Sequence, residues 1–190
     1  MPSRDIDSDI EKAVTALQQG QLIAYPTEGV YGLGCDPKQP QAIQKLLELK
    51  QRDPDKGLIL IASTFEQLQP YLEDPDDIHG AEAKASWPGP VTWLWPAAKN
   101  GDTFSPLLTG KHTSIAVRVT AHPVARALCE AFNGAIVSTS ANRQGELPAR
   151  SKQEVINYFA DEQIVIVGGE IGDLKEPTPI YDVRSGYAIR

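Results

Sequence analysis

Short apolar runs alternate with amphipathic stretches that carry helix-start signals, and this alternation limits the fold of the chain more than any other feature. The runs 22–25, 58–62, 91–95, 114–119, 135–138 and 164–167 have the length and the β-branched or aromatic content of strands. Between them, Ser8 and Glu11, Ser63 and Glu66, and Ser151 and Glu154 have capping-box spacing, in which a serine hydroxyl and a glutamate satisfy early helical N–H groups. Ile10, Ala13, Val14 and Leu17 then form a helical stripe that stops at Gly20. Leu68, Tyr71 and Leu72 follow the second box, and Val155, Tyr158 and Phe159 follow the third. Pro40 and Pro123 fit the first turns of two further helices, the second stopping at Gly134, and another helix is expected over about 78–87. Strands and helices in alternation predict an α/β sheet with helices packed on it.

The chain has 190 residues, enough to bury roughly 70% of its unfolded surface without disulfide or metal, and is expected to form a single domain over 1–190. The longest aliphatic run, 58–62, is far short of a membrane span, and the N-terminus carries no basic segment followed by a hydrophobic one. A cytoplasmic location follows, with Cys35 and Cys129 as buried free thiols. His79, His112 and His122 form no zinc-ligand pattern, so no metal-ligating residues are assigned. The acidic pairs Glu73-Asp74 and Asp76-Asp77 read as solvated surface. A net charge of −7 argues against a protein that grips long nucleic acid by neutralising phosphates, while leaving room for a locally basic pocket.

Four segments combine polar side chains with constrained backbone. The first, 26–34, holds Thr27, Glu28 and three glycines that permit close approach of a ligand, but it lacks the dinucleotide spacing and, taken alone, reads as a glycine-rich turn capped by Thr27 rather than as a binding loop. The second places Lys45, Lys50, Arg52 and Lys56 within twelve residues; they would suit a polyphosphate, or form a solvated basic face at a helix end. In the third, period-two alternation puts Ile115, Val117 and Val119 on one strand face and Ser114, Ala116 and Arg118 on the other. Arg118 among small residues marks either a cavity that meets a carboxylate or phosphate, or a sheet face where it pairs with an acidic neighbour. The fourth, 138–142, offers Ser138, Thr139, Ser140 and Asn142 at a strand end, as phosphate or ribose donors or as a polar loop cap.

Together these segments resemble the YrdC/TsaC family of threonylcarbamoyl-adenylate synthases. The matching residues are Tyr25-Pro26-Thr27-Glu28, Tyr31-Gly32-Leu33-Gly34, Lys50-x-Arg52, Trp87-Pro88-Gly89-Pro90-Val91-Thr92, Ala116-Val117-Arg118-Val119, His122-Pro123 and Ser138-Thr139-Ser140-Ala141-Asn142. The resemblance implies an open, twisted, mixed α/β sheet with flanking helices and a large concave cavity. It implies a nucleotidyltransferase that joins L-threonine, bicarbonate or carbon dioxide, and ATP carried with Mg²⁺, giving threonylcarbamoyl-AMP and pyrophosphate. The product would pass to a tRNA threonylcarbamoyl-transferase complex that modifies the adenosine beside the anticodon, with at most weak tRNA contact and no membrane partner. By the same resemblance Lys50 and Arg52 are the catalytic candidates, and Lys50, Arg52, Thr92, Ser140, Asn142, Arg150 and Arg190 surround ATP. Thr27, Arg118, Ser138 and Thr178 hold threonine. Many family members have proline directly after the KxR arginine, whereas Asp53 stands here and offers Arg52 a local carboxylate. An RNA-binding or ribosome-maturation factor without catalysis is the alternative that the family also implies.

Overall fold

The computed structural model describes residues 4–74, 79–99 and 104–190. An eight-stranded mixed sheet forms its centre: β1 Leu22–Pro26, β2 Tyr31–Gly34, β3 Ile59–Ala62, β4 Thr92–Pro96, β5 Ser114–Val119, β6 Ile136–Ser140, β7 Ile164–Ile166 and β8 Ile180–Asp182. The spatial order is β7-β1-β2-β6-β3-β5-β4-β8. The β7/β1, β3/β5 and β4/β8 pairs are parallel and the other neighbours antiparallel. Five helices flank the sheet: α1 Arg4–Gln18, α2 Pro40–Lys50, α3 Gly80–Ala85, α4 Pro123–Phe132 and α5 Lys152–Tyr158.

Alternation along the strands explains both cores. Leu22, Ala24, Leu60, Ala62, Val117 and Val137 point to one side and pack with Ile43, Leu46 and Leu47 of α2 and with Trp93 and Trp95. Ile23, Tyr25, Ile61 and Ile136 point to the other side, under Ala13 and Leu17 of α1 and Val124 and Leu128 of α4. These two helices cover only part of their face. Continuing each strand by two residues beyond them gives Thr27 after Tyr25, and Ser138 then Ser140 after Ile136, and all three line a cavity.

Local chemistry departs from the sequence reading at several ends. Ser8 lies inside α1 (Arg4–Gln18), so its box does not start the helix. Ser63 donates to Gln67 Oε1 at 3.0 Å, and the following residues make two 3₁₀ turns, Phe65–Gln67 and Gln69–Tyr71, in place of an α-helix. Pro70 lacks the N–H that a continuing helix needs there. Ser151 does cap α5 by accepting from Glu154 N, but the Glu154 carboxylate reaches Arg150 N. Asn133, in the left-handed conformation at φ 56°, ends α4 one residue before Gly134. The expected helix over 78–87 is α3, with residue 78 outside the described residues. Glu73 pairs with Lys99 at 2.9 Å on the surface, and Asp76 and Asp77 lie outside the described residues.

Two strands were not expected. The glycine-rich segment read as a turn contains β2, inserted between β1 and β6; a Cβ on Gly34 would collide with Val137 O of β6, and one on Gly32 would sit a tight 3.3 Å from the Thr27 methyl. The short strand β8 adds to the β4 edge after the proline-rich segment.

Candidate active site

A cavity of about 590 Å³ opens on the sheet face beyond α1 and α4. Thr27, Glu28, Gly32, Arg52, Arg118, Ser138, Ser140, Arg150, Thr178 and Arg190 are among the residues that line it, and Arg190 donates to Thr178 O at 3.2 Å. Thus eight of the eleven candidate side chains named from the sequence reach one cavity: Thr27, Arg52, Arg118, Ser138, Ser140, Arg150, Thr178 and Arg190. Lys50, Thr92 and Asn142 stand behind its wall.

Lys50 ends α2, and its side chain is buried. Its Nζ donates to Ser140 O at 2.5 Å, Asn142 O at 2.8 Å and Asn142 Oδ1 at 3.3 Å. The ammonium therefore pins the loop after β6. Burial, reinforced by the Arg52 charge, pushes it down to about 8 from the ordinary lysine value. Asn142 is held further by Ser140 Oγ, which donates to its Oδ1 at 2.5 Å, and by its own Nδ2, which donates to Arg143 O and Glu146 O. Arg143, not singled out by the sequence, bonds Leu49 O at 3.1 Å and so ties the same loop to α2.

Arg52 projects into the cavity, with Nη2 donating to Gly57 O at 3.1 Å. Burial lowers the affinity of its guanidinium for the proton, and the Asp53 charge opposes this. Asp53 does not pair with Arg52. Its carboxylate accepts from Asp55 N at 2.9 Å and caps the 3₁₀ turn Pro54–Lys56. Lys45 and Lys56 are exposed and do not line the cavity. Of the four clustered cations, Arg52 alone faces it.

Arg118 satisfies both of its sequence readings. It lines the cavity, and its Nε lies 3.4 Å from Glu28 Oε1. Its Nη1 donates to Thr92 Oγ1 at 3.0 Å and to Thr178 Oγ1 at 3.4 Å, and these two hydroxyls bond each other at 3.1 Å. Thr92 is fully buried and orients Arg118 from behind. Trp87-Pro88-Gly89-Pro90-Val91 delivers it: Gly89 N donates to Val119 O, and Thr92 N to Pro179 O. Among the described residues Glu28 is the main cavity group without a role in the sequence reading. Its position beside Thr27 was the signal available.

A strap over 167–179 carries the chain from β7 at one sheet edge to β8 at the other. Gly172 N donates to Thr27 O at 2.9 Å and Leu174 N to Glu28 O at 3.1 Å, so the strap lies directly on the cavity wall. A Cβ on Gly172 would stand 2.5 Å from Glu28 O, and one on Gly29 2.5 Å from Leu174 O; both positions require glycine for this approach. His122 fixes the strap from below. Its Nδ1 accepts from Ala125 N to cap α4, and its Nε2 pairs with Glu170 O at 2.9 Å. His122-Pro123 is thus a structural device.

Five cations, Arg52, Arg118, Arg150, Lys175 and Arg190, face three carboxylates, Glu28, Glu154 and Glu176, around the cavity. The lining is net basic in a chain of net charge −7. Such a cavity suits a compact polyanion beside a small zwitterion. Cys35 and Cys129 are buried away from it, and burial pushes both thiols up, so neither is a nucleophile. No helix among the described residues is long and apolar enough to cross a membrane.

A family model named Sua5_yciO_yrdC and described as "Telomere recombination" matches residues 15–189. A Photobacterium profundum protein named threonylcarbamoyl-AMP synthase is 50% identical over 184 residues, covering 96% of this chain and 98% of the relative. The crystal structure of P. abyssi Sua5 complexed with L-threonine superposes with a TM-score of 0.84 at 30% identity, over 94% of this chain and 52% of that one. The chain therefore spans about half of that longer protein. E. coli YciO gives a TM-score of 0.76 at 27% identity, covering 91% of this chain and 82% of its own.

Proposed function

The chain belongs to the Sua5/YciO/YrdC family, and from that premise we propose that it forms threonylcarbamoyl-AMP and pyrophosphate from L-threonine, bicarbonate or carbon dioxide, and ATP. The observation that carries this reading is half-identity, over nearly the full length of both chains, to proteins named for that activity. The net basic cavity supports it, because the reaction needs a polyphosphate and an amino acid side by side.

In this reading threonine lies against Thr27, Ser138, Thr178 and Arg118, with Arg118 taking its carboxylate. The triphosphate lies toward Arg52, Ser140, Arg150 and Arg190. Deprotonated, the threonine amine adds to carbon dioxide to give a carbamate. A carbamate oxygen then attacks the α-phosphorus, and the bond to the β-phosphate oxygen breaks as pyrophosphate leaves. Holding three reactants in one cavity supplies several kcal/mol toward the barrier by proximity alone. Arg52 offsets the charge growing on the leaving group. Lys50, Thr92 and Asn142 act from the second layer: Lys50 and Asn142 hold the Ser140 loop, and Thr92 aims Arg118.

The described residues contain no group of three His, Cys, Asp or Glu side chains that could cage a magnesium ion, so an ion carried in with the triphosphate would take most of its ligands from phosphate and water oxygens. Glu154 and Glu176 also line the cavity and would be the carboxylates on offer to it. When bound, the ion offsets charge on the phosphates. The product passes to a tRNA-modifying transferase, and tRNA itself contacts this chain weakly at most.

Purified protein mixed with ATP, Mg²⁺, L-threonine and bicarbonate is expected to release pyrophosphate only when threonine is present. Threonine-independent release, or none, contradicts the reading. Submicromolar RNA binding at physiological salt with no such release would favour the RNA-binding alternative.

A further inference from the structure

We propose that Glu28 is the residue that binds the substrate's α-ammonium group, so that Glu28 and Arg118 together clamp an amino-acid zwitterion. The inference rests on the reading of this cavity as an L-threonine site. Glu28 and Arg118 both line the cavity, with side chains only 11% and 6% exposed. Ion pairing accounts for their proximity, but the contact is a loose one that leaves bonding capacity on both groups. Structural Arg–carboxylate pairs favour short, often bidentate contacts. Here Arg118 Nε lies 3.4 Å from Glu28 Oε1 and, though buried, makes no hydrogen bond.

Neutral hydroxyls fix each charge instead. Thr120 Oγ1 donates to Glu28 Oε1 at 2.7 Å, and Thr92 and Thr178 accept from Arg118 Nη1. Glu28 Oε2 and Arg118 Nη2 have no hydrogen-bond partner among the described residues. An acceptor and a donor of opposite charge, on two residues whose nearest charged atoms are 3.4 Å apart, are thus left over in one cavity. The strap fixes the Glu28 backbone through Leu174 N, so the carboxylate cannot be relocated by a loop movement without breaking that bond. Among the described residues Arg118 Nε is the one buried side-chain N or O atom without a hydrogen-bond partner, while Glu28 Oε2 and Arg118 Nη2 keep their bonding capacity for a ligand in the cavity. An α-amino acid can meet both groups, since its carboxylate and ammonium are carried by a single carbon. Thr27 and Ser138 hydroxyls nearby suit its side-chain hydroxyl.

The test compares L-threonine with 3-hydroxybutyrate, which lacks only the amino group, by calorimetric titration of the native chain and Glu28→Gln near neutral pH. Loss of a charged hydrogen bond should weaken L-threonine binding by about 10- to 100-fold in Glu28→Gln, while 3-hydroxybutyrate binding changes by less than about threefold. Equal weakening of both ligands would overturn the proposal, because it shows that Glu28 acts only by supporting Arg118. Unchanged threonine affinity would overturn it too. If circular dichroism shows that Glu28→Gln does not fold, Thr120→Val, which frees the carboxylate from its orienting hydroxyl, must produce the same selective loss on a smaller scale. Failure of the native chain to bind L-threonine would refute the substrate reading, and this inference with it. Binding that Glu28→Gln leaves intact refutes this inference alone.

Discussion

Lys50 and Arg52 are two residues apart, yet the fold gives them different work. Arg52 follows Gln51, whose left-handed conformation at φ 53° turns the chain out of α2 and sends the guanidinium into the cavity. Lys50 is still in the helix and points into the loop behind it. Its three acceptors need three donors, which only the ammonium has. The proton leaves as pH rises through about 8, since burial has moved the group down. The KM for ATP is therefore expected to rise about five- to tenfold between pH 7.5 and 9, and Lys50→Arg, which keeps its charge, should flatten that rise. The effect on stability has its own sign. The folded value lies below the unfolded one, so the unfolded chain binds this proton more tightly, and Lys50 opposes folding most below about pH 8; that penalty fades as pH rises from about 8 toward the ordinary lysine range. Arg118 provides a second check. Removing it in Arg118→Met strands the Glu28 carboxylate, and denaturant titration should show a loss of about 3 kcal/mol, partly restored in Arg118→Met/Glu28→Gln.

Among the elements, β2 and the strap decide the shape of the site. A Cβ on Gly34 would collide with Val137 O of β6, so Gly34→Ala is expected to cost about 2–3 kcal/mol in denaturant titrations. A Cβ on Gly134 would meet only the Phe132 ring, at an ordinary 3.6 Å, and its φ is ordinary, so Gly134→Ala should be neutral or stabilising, within about 1 kcal/mol. Gly172→Ala would lift the strap from Glu28 O, raising the KM for threonine more than it lowers stability. The helices α1, α2, α4 and α5 and six strands were legible because each has a hydrophobic period and a terminal signal of its own. The strand β2 was not, because its Tyr-Gly-Leu-Gly pattern is a strand only between β1 and β6, where the missing side chains make room for neighbours. The helix expected after Ser63 failed because Pro70 interrupts it. In the site, motif residues that end strands were placed readily. Which of them face the cavity and which stand behind it depends on the turn at Gln51 and on the strap, and both are set by tertiary contacts.

At the scale of the molecule, charge is segregated. The chain carries −7 overall while its cavity lining holds five cations against three carboxylates. That separation predicts an enzyme that concentrates a nucleotide inside and repels long polyanions outside; RNA binding should be weak and should vanish as salt rises toward physiological strength. If the proposed reaction runs here, the cavity would have to shield a carbamate and an adenylate from water, and its two buried charges, Arg118 and Glu28, are already held by the hydroxyls of Thr92, Thr178 and Thr120. The most direct measurement of the whole account follows carbon. With ¹³C-bicarbonate, L-threonine, ATP and Mg²⁺, mass spectrometry is predicted to find the label in threonylcarbamoyl-AMP, formed in step with pyrophosphate. Pyrophosphate released with AMP or an unlabelled threonyl adduct as its only companion would contradict it.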